Sequence, residues 1–185
     1  MIFASGNGSN AARIIRHFNG GSKAHVVGLI SNNQNALVLK RAAELKVPSF
    51  IFDKDKLKKA DELLRLLREL KTDLIVLAGF LKLMPKLVIE NFPVRIINIH
   101  PALLPKYGGR GMFGMNVHNA VFDAHEKETG ITIHYVNENY DDGEIIFQER
   151  IQLNENDTPE IIAHKISELE SQNFCKVIES VIDQL

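Results

Sequence analysis

The sequence predicts an α/β fold: a mostly parallel, twisted sheet flanked by helices on both faces, with an antiparallel strand extension near the C-terminus. Three observations carry this prediction. Short apolar runs alternate with amphipathic stretches of helical spacing, the pattern of strands joined by crossover helices. Asp73-Leu74-Ile75-Val76-Leu77-Ala78 is continuously apolar after its first residue, as a strand covered on both faces requires. Residues 129–136 and 144–153 are both rich in β-branched and aromatic types, with only a loop between them, so they pair antiparallel.

At 185 residues and 45% hydrophobic, the chain suits one domain, 1–185, rather than two. A net charge of −1 offers no bulk field for nucleic acid or acidic lipid, and neither partner is expected. A lone Cys175 excludes an intramolecular disulfide and suits a reducing cytosol; helical spacing places it in the core. Apolar runs are only a few residues long, so no membrane span is expected. The expectation is a soluble cytoplasmic domain.

Along the chain, Met1-Ile2-Phe3-Ala4 reads as a short strand, followed by Ser5-Gly6-Asn7-Gly8-Ser9-Asn10 opening a helix at Ala11-Ala12-Arg13-Ile14-Ile15. A glycine-rich turn between strand and helix aims backbone N–H groups at an anion. The plainer alternative is a tight turn with Ser9 or Asn10 capping the helix. Gly6-x-Gly8-x-x-Ala11 fits a loose dinucleotide fingerprint, which also wants an acid about 20 residues on. None is present: the first acidic residue is Glu44, preceded by Arg13, Arg16, Lys23, Lys40 and Arg41. A monophosphate is therefore favoured over a dinucleotide.

Residues 24–31 and 47–52 read as strands and 36–45 as a helix. Residues 54–70 form one amphipathic helix with leucines at 57, 63, 64, 66, 67 and 70. Pro85 opens a short helix to Asn91, residues 108–114 are a mobile glycine-rich loop, and 117–124 are helical. Thr158 caps a final helix with Pro159 at its first position and Ile161, Ile162, Ile166, Leu169, Val177 and Ile178 on its buried side.

Chemistry concentrates in Ile96-Ile97-Asn98-Ile99-His100-Pro101. Residues two apart share a strand face, so Asn98 and His100 point the same way, and Pro101 ends the pairing. Carboxyl ends of parallel strands are where open sheets place their sites. By itself an Asn-x-His is more often a capping pair. Thr132 and His134 repeat the spacing on a second strand, and Asp141-Asp142-Gly143 follows in a turn able to hold a carboxylate. Together these supply an amide donor, an imidazole and a carboxylate, the parts of an acyl-transfer site. No His, Cys and Asp set has ligand-like spacing, so no metal is expected. No serine has a nucleophile elbow, which disfavours covalent catalysis.

Ser5-Gly6-Asn7-Gly8-Ser9-Asn10, Ala78-Gly79-Phe80, Asn98-Ile99-His100-Pro101 with Leu103-Leu104-Pro105, and Gly130-x-Thr132 through Asp141-x-Gly143 resemble, in order, the motifs of the phosphoribosylglycinamide formyltransferase family. The resemblance covers essentially the whole chain. It implies the Rossmann-like formyltransferase fold, with residues 1–95 binding phosphate and 96–185 carrying catalysis and the folate. Gly8, Ser9 and Asn10 would hold the substrate phosphate, Glu170 the ribose hydroxyls, and Pro101 would touch the same substrate. Asn98, His100 and Asp141 would be catalytic, supported by Thr132. The co-substrate 10-formyltetrahydrofolate would lie along Leu81, Lys82, Leu83 and Met84 and along Val136, Asn137 and Glu138. His118 receives no role. The implied reaction is formyl transfer to the amine of glycinamide ribonucleotide in purine biosynthesis, by a monomer or weak homodimer. In it Asn98 and a protonated His100 hold the oxyanion, and Asp141 raises the imidazole pKa above about 6.5. Two rivals are a formyltetrahydrofolate hydrolase, with water as acceptor, and a non-enzymatic nucleotide-binding module.

Overall fold

In a computed structural model describing residues 1–21 and 23–185, one seven-stranded sheet forms the centre of the molecule. Its strands are β1 (Ile2–Phe3), β2 (Leu29–Ser31), β3 (Ser49–Ile51), β4 (Ile75–Leu77), β5 (Ile96–His100), β6 (Glu128–Tyr135) and β7 (Ile145–Gln152). They lie in the order β3-β2-β1-β4-β5-β6-β7. The first five pair in parallel; β6 and β7 are antiparallel additions, as expected. The helices are α1 (Ser9–Phe18), α2 (Leu37–Glu44), α3 (Lys54–Lys58), α4 (Ala60–Glu69), α5 (Lys86–Asn91), α6 (Met115–Asp123) and α7 (Pro159–Ile182). Among the described residues, no helix is long and apolar enough to cross a membrane.

Alternation along the strands sorts the core into two layers. Ile2, Leu29, Val76, Ile97 and Ile99 pack with Ile14 and Ile15 of α1 and Ile162, Ile166 and Ile178 of α7. Phe3, Ile30, Ile75, Leu77 and Ile96 pack on the other face against Leu63 and Leu67 of α4 and Val88 of α5. Leu63 and Leu67 are fully buried, and truncating either to alanine would cost about 2–5 kcal/mol. The same alternation decides where the chemistry points. With Ile97 and Ile99 on the α1/α7 side, Asn98 and His100 both turn to the opposite face.

Three local expectations change. Of residues 24–31 only Leu29–Ser31 pair as a strand, because the neighbours β1 and β3 offer just two and three residues of ladder. The single helix over 54–70 is two helices. Lys59, at φ −87° and ψ 63°, interrupts it, and Asp53 caps the first piece by accepting from the Asp55 and Lys56 N–H groups. The break lets Leu57 of α3 join Leu63, Leu64 and Leu67 of α4 in one layer. Ile161 is 42% exposed, whereas its neighbour Ile162 is buried. Adjacent helical positions are about 100° apart, so Ile161 cannot share the face of Ile162 and Ile166. Thr158 and Pro159 do start α7, with Thr158 Oγ1 accepting from the Ile161 N–H.

β1 lies between β2 and β4, so the chain winds away from the sheet centre in both directions. The crevice beyond the carboxyl ends of the strands at such a reversal is where open sheets bind ligands. The loops after β1 and β4 meet there, the Ser5 N–H donating to Gly79 O at 2.9 Å.

Candidate active site

A cavity of about 670 Å³ occupies that crevice, and it joins two chemically different ends. At one end, α1 starts at Gly8, which has φ 74° and contributes no side-chain cap. A Cβ there would stand 2.1 Å from Val38 Cγ2, so the loop needs glycine for space as well as for conformation. The alternative in which Ser9 or Asn10 caps the helix is thus set aside, and the first-turn N–H groups keep their anion-binding capacity. Asn10 instead reaches across to α7, its Nδ2 donating to Glu170 Oε2 at 2.9 Å. Burial pushes the Glu170 carboxyl above its ordinary value, with Asn10 and Arg13 acting against that shift.

At the other end, cross-strand pairing assembles the polar cluster. Asn98 lies opposite His134 and His100 opposite Thr132 in the β5–β6 register. His134 Nδ1 is 2.7 Å from Tyr135 O and must donate to it, so His134 Nε2 accepts from Asn98 Nδ2 at 3.1 Å. The same amide nitrogen donates to Asp141 Oδ1 at 3.3 Å. His100 Nε2 donates to Tyr107 O at 2.8 Å, which turns Nδ1 towards Asp141 Oδ2, 3.5 Å away. Asp141 sits at φ 54°, and its carboxylate accepts from the Gly109 N–H at 2.9 Å. The donor therefore comes from the 108–114 loop rather than from the aspartate's own turn. Gly143 makes the approach possible, since a Cβ there would fall 1.7 Å from Tyr135 O.

The charge states correct one expectation. Burial pushes His100 below its ordinary value, and Asp141 and the Tyr107 carbonyl only partly oppose this. Asp141 is also pushed up by burial, but His134, His100 and the Gly109 N–H together bring it below the usual carboxylate range. At neutral pH the site presents a neutral imidazole beside a carboxylate. A His100 held above its usual pKa is not what this geometry gives, because the ring is 3% exposed and loses more hydration than one carboxylate restores.

Gly8, Ser9, Asn10, Leu81, Lys82, Asn98, His100, Pro101, Asp141 and Glu170 all line the cavity. Thr132 lies behind it, fully buried, its hydroxyl donating to Ala102 O and accepting from the Leu104 N–H and from Gln148. It shapes the turn after β5 without facing the crevice. Leu83 is exposed, Met84 is buried in the α4/α5 layer, and Val136 and Asn137 are half-buried outside the cavity wall. Glu138 pairs with Lys86 at 2.9 Å. The 108–114 loop, expected to be mobile, forms a wall of the cavity and is tied by the Gly109 bond and by Asn116 Nδ2 donating to Gly111 O at 3.0 Å.

Several groups at the site carry no assigned role in the sequence pattern. His134 stands out by its two-apart spacing with Thr132, but its role in holding the Asn98 amide appears only with the β5–β6 register. His118 lines the cavity from α6, its buried Nδ1 without a hydrogen-bond partner among the described residues, and burial lowers its pKa. Phe113 and Tyr140, exposed aromatics at the wall, gave no pattern along the chain.

Known proteins resemble this chain over nearly its whole length. The formyl transferase family profile matches residues 1–178. The phosphoribosylglycinamide formyltransferase of Bacillus subtilis is 35% identical over 98% of this chain and 93% of its own length. The chloroplastic enzyme of that name from Arabidopsis thaliana is 38% identical over 99% of this chain; the chain spans 65% of that relative's length, and 60% of its Vigna unguiculata counterpart. The crystal structure of phosphoribosylglycinamide formyltransferase from Bacillus halodurans superposes with a TM-score of 0.88 at 33% identity, covering 98% of this chain and 93% of that one. The Streptococcus pneumoniae structure gives 0.87 at 32% identity, covering 98% and 97%. With the strand order, the crevice and these matches in agreement, the chain belongs to the formyl transferase family, among the phosphoribosylglycinamide formyltransferases.

Proposed function

We propose that the chain transfers the formyl group of 10-formyltetrahydrofolate to the amine of glycinamide ribonucleotide. The observation that carries this reading is one cavity with an anion-binding helix start and Glu170 at one end and Asn98, His100 and Asp141 at the other. The phosphate would sit on the N–H groups of Gly8, Ser9 and Asn10, and Glu170 would take the ribose hydroxyls. The amine then reaches towards His100. The apolar and aromatic wall of Leu81, Phe113 and Tyr140 suits the flat pterin and its aryl linker, with Lys82 near an acidic tail.

The folate supplies an electrophilic formyl carbon on N10. A bond forms from the substrate amine to that carbon, the N10–carbon bond breaks, and the amine proton ends on N10. Asn98 and His100 face the place where charge develops on the formyl oxygen. Asn98 Nδ2 shares its two hydrogens between His134 and Asp141, and the longer bond, to Asp141, is the one exchanged for the oxyanion. Asp141 and the neutral His100 form the proton-accepting pair. A proton taken on Nδ1 lies against Oδ2, so the imidazolium arises during turnover, beside the new negative charge. Proton delivery to N10 runs from this pair through a bridging water.

Incubation with 10-formyltetrahydrofolate, with and without glycinamide ribonucleotide, tests the reading. Tetrahydrofolate should appear only with the amine present. Release without it would indicate a hydrolase, and no release in either case a binding module. The phosphate end favours the transferase, since a hydrolase has no use for it.

A further inference from the structure

The two helices at the binding end meet through two matched pairs of side chains. Asn10 and Arg13 are one turn apart on α1; Ser167 and Glu170 are one turn apart on α7. Asn10 meets Glu170, and Arg13 meets Ser167, so the helices run in opposite senses at this contact. Arg13 Nη1 donates to Asn10 Oδ1 at 3.1 Å. The guanidinium also makes longer contacts of 3.4 Å to Ser167, Nη1 to the carbonyl oxygen and Nη2 to Oγ. No salt bridge occupies Arg13 among the described residues. Its guanidinium serves polar oxygens instead.

This geometry settles which way the Asn10 amide faces. A guanidinium can only donate, so it selects the amide oxygen. The amide nitrogen is thereby turned to Glu170, whose carboxylate can only accept, and the 2.9 Å bond follows. Oε1 of Glu170 makes no hydrogen bond among the described residues, so it is available to a ligand. We propose that Arg13 is a positioning residue for the ribonucleotide: it orients Asn10 and, through Asn10, holds the Glu170 carboxylate ready for the ribose hydroxyls. It touches no substrate, and it does not line the cavity. The inference rests on the reading of Glu170 as a ribose contact.

Charge gives Arg13 a second effect on the same pair. Burial disfavours the charged form of Glu170, and the groups opposing it are Asn10 and Arg13, both on α1. The other titratable groups around the cavity, His100 on β5, His118 on α6, Asp141 and the exposed Lys82 and Arg110, do not contribute to that shift. On α7 itself the nearest charged neighbours are Glu168, paired with His164, and Lys165, paired with Asp157. Removing Arg13 should therefore let Glu170 protonate at higher pH, weakening ribonucleotide binding most on the acid side.

The test is steady-state kinetics of the whole enzyme carrying Arg13→Ala, Arg13→Lys or Glu170→Gln, at pH 6 and pH 8. Arg13→Ala should raise KM for glycinamide ribonucleotide about tenfold at pH 8 and further at pH 6, with kcat and the folate KM within twofold. Arg13→Lys keeps a cation near Glu170 but loses the planar fork, so it should restore the pH profile more fully than the affinity. Glu170→Gln should raise the same KM with no added loss at pH 6. If Glu170→Gln raises KM while Arg13→Ala leaves it unchanged, the role of Arg13 is overturned and the ribose contact stands. If Glu170→Gln has no effect, the reading of the ribose contact falls and this inference with it. A loss of kcat or folate affinity in Arg13→Lys, in protein that melts like the parent, would mean Arg13 merely packs α1 on α7.

Discussion

The two ends of the cavity are built by opposite strategies. The end proposed to bind the ribonucleotide is a contiguous loop, Gly8-Ser9-Asn10, which would work through backbone N–H groups at a helix start. The end proposed for catalysis gathers side chains from β5, β6 and two loops, with Asn98 bonded to residues 36 and 43 positions away. A contiguous loop fails by losing affinity. A cluster of cross-strand side chains fails by losing proton placement and charge stabilisation. Substitutions at the two ends should therefore separate into KM and kcat effects, and a substitution that moves the wrong constant would break that separation.

Asp141→Asn carries the largest expected effect. It removes the proposed carboxylate partner of the proton-accepting His100 and keeps the shape, so kcat should fall on the order of 1000-fold while both substrates still bind, as equilibrium titration would show. Asn98→Ala removes an oxyanion donor, and kcat should fall about 100-fold to 1000-fold in single-turnover assays. Ser9→Asp or Asn10→Asp sets a like charge against the phosphate. KM for glycinamide ribonucleotide should rise at least about tenfold with the folate KM little changed. If the folate KM rose instead, the assignment of the two ends would be reversed.

The smallest effect is a displaced titration. Burial holds His100 below its usual value, and the ring must be neutral to accept a proton. The acid limb of log kcat/KM should therefore bend at an apparent pKa below about 6.5. Asp141 opposes the burial shift, so Asp141→Asn should move the bend lower still in the residual activity. A bend above 6.5 would mean that the working enzyme holds His100 charged from the start.

Legibility in the sequence follows the same division. The loop after β1 could be read because everything it needs is local: glycine where φ is positive, small polar residues and a helix start. Asn98 and His100 could be read because a strand has period two and polar residues among isoleucines stand out. What their partners do could not. That His134 fixes the Asn98 amide depends on a register in which position 98 faces 134, and that Gly109 holds Asp141 depends on a loop folding over the sheet. The direction of the His100 shift is not legible in the sequence: a carboxylate neighbour is visible in a motif, whereas loss of hydration depends on how the surrounding chain packs. The break at Lys59 and the outward turn of Ile161 have the same cause, tertiary packing overriding local pattern.

The central claim is that His100 and Asp141 act as one proton-handling unit. A double-substitution cycle on kcat tests it most directly, comparing His100→Ala, Asp141→Asn and the pair of changes together. The geometry of Nδ1 facing Oδ2 at 3.5 Å predicts a double variant little slower than the slower single one, because removing either partner already disables the unit. Losses that multiply in full would show two groups acting independently, and a near-parental Asp141→Asn enzyme would remove the aspartate from the chemistry.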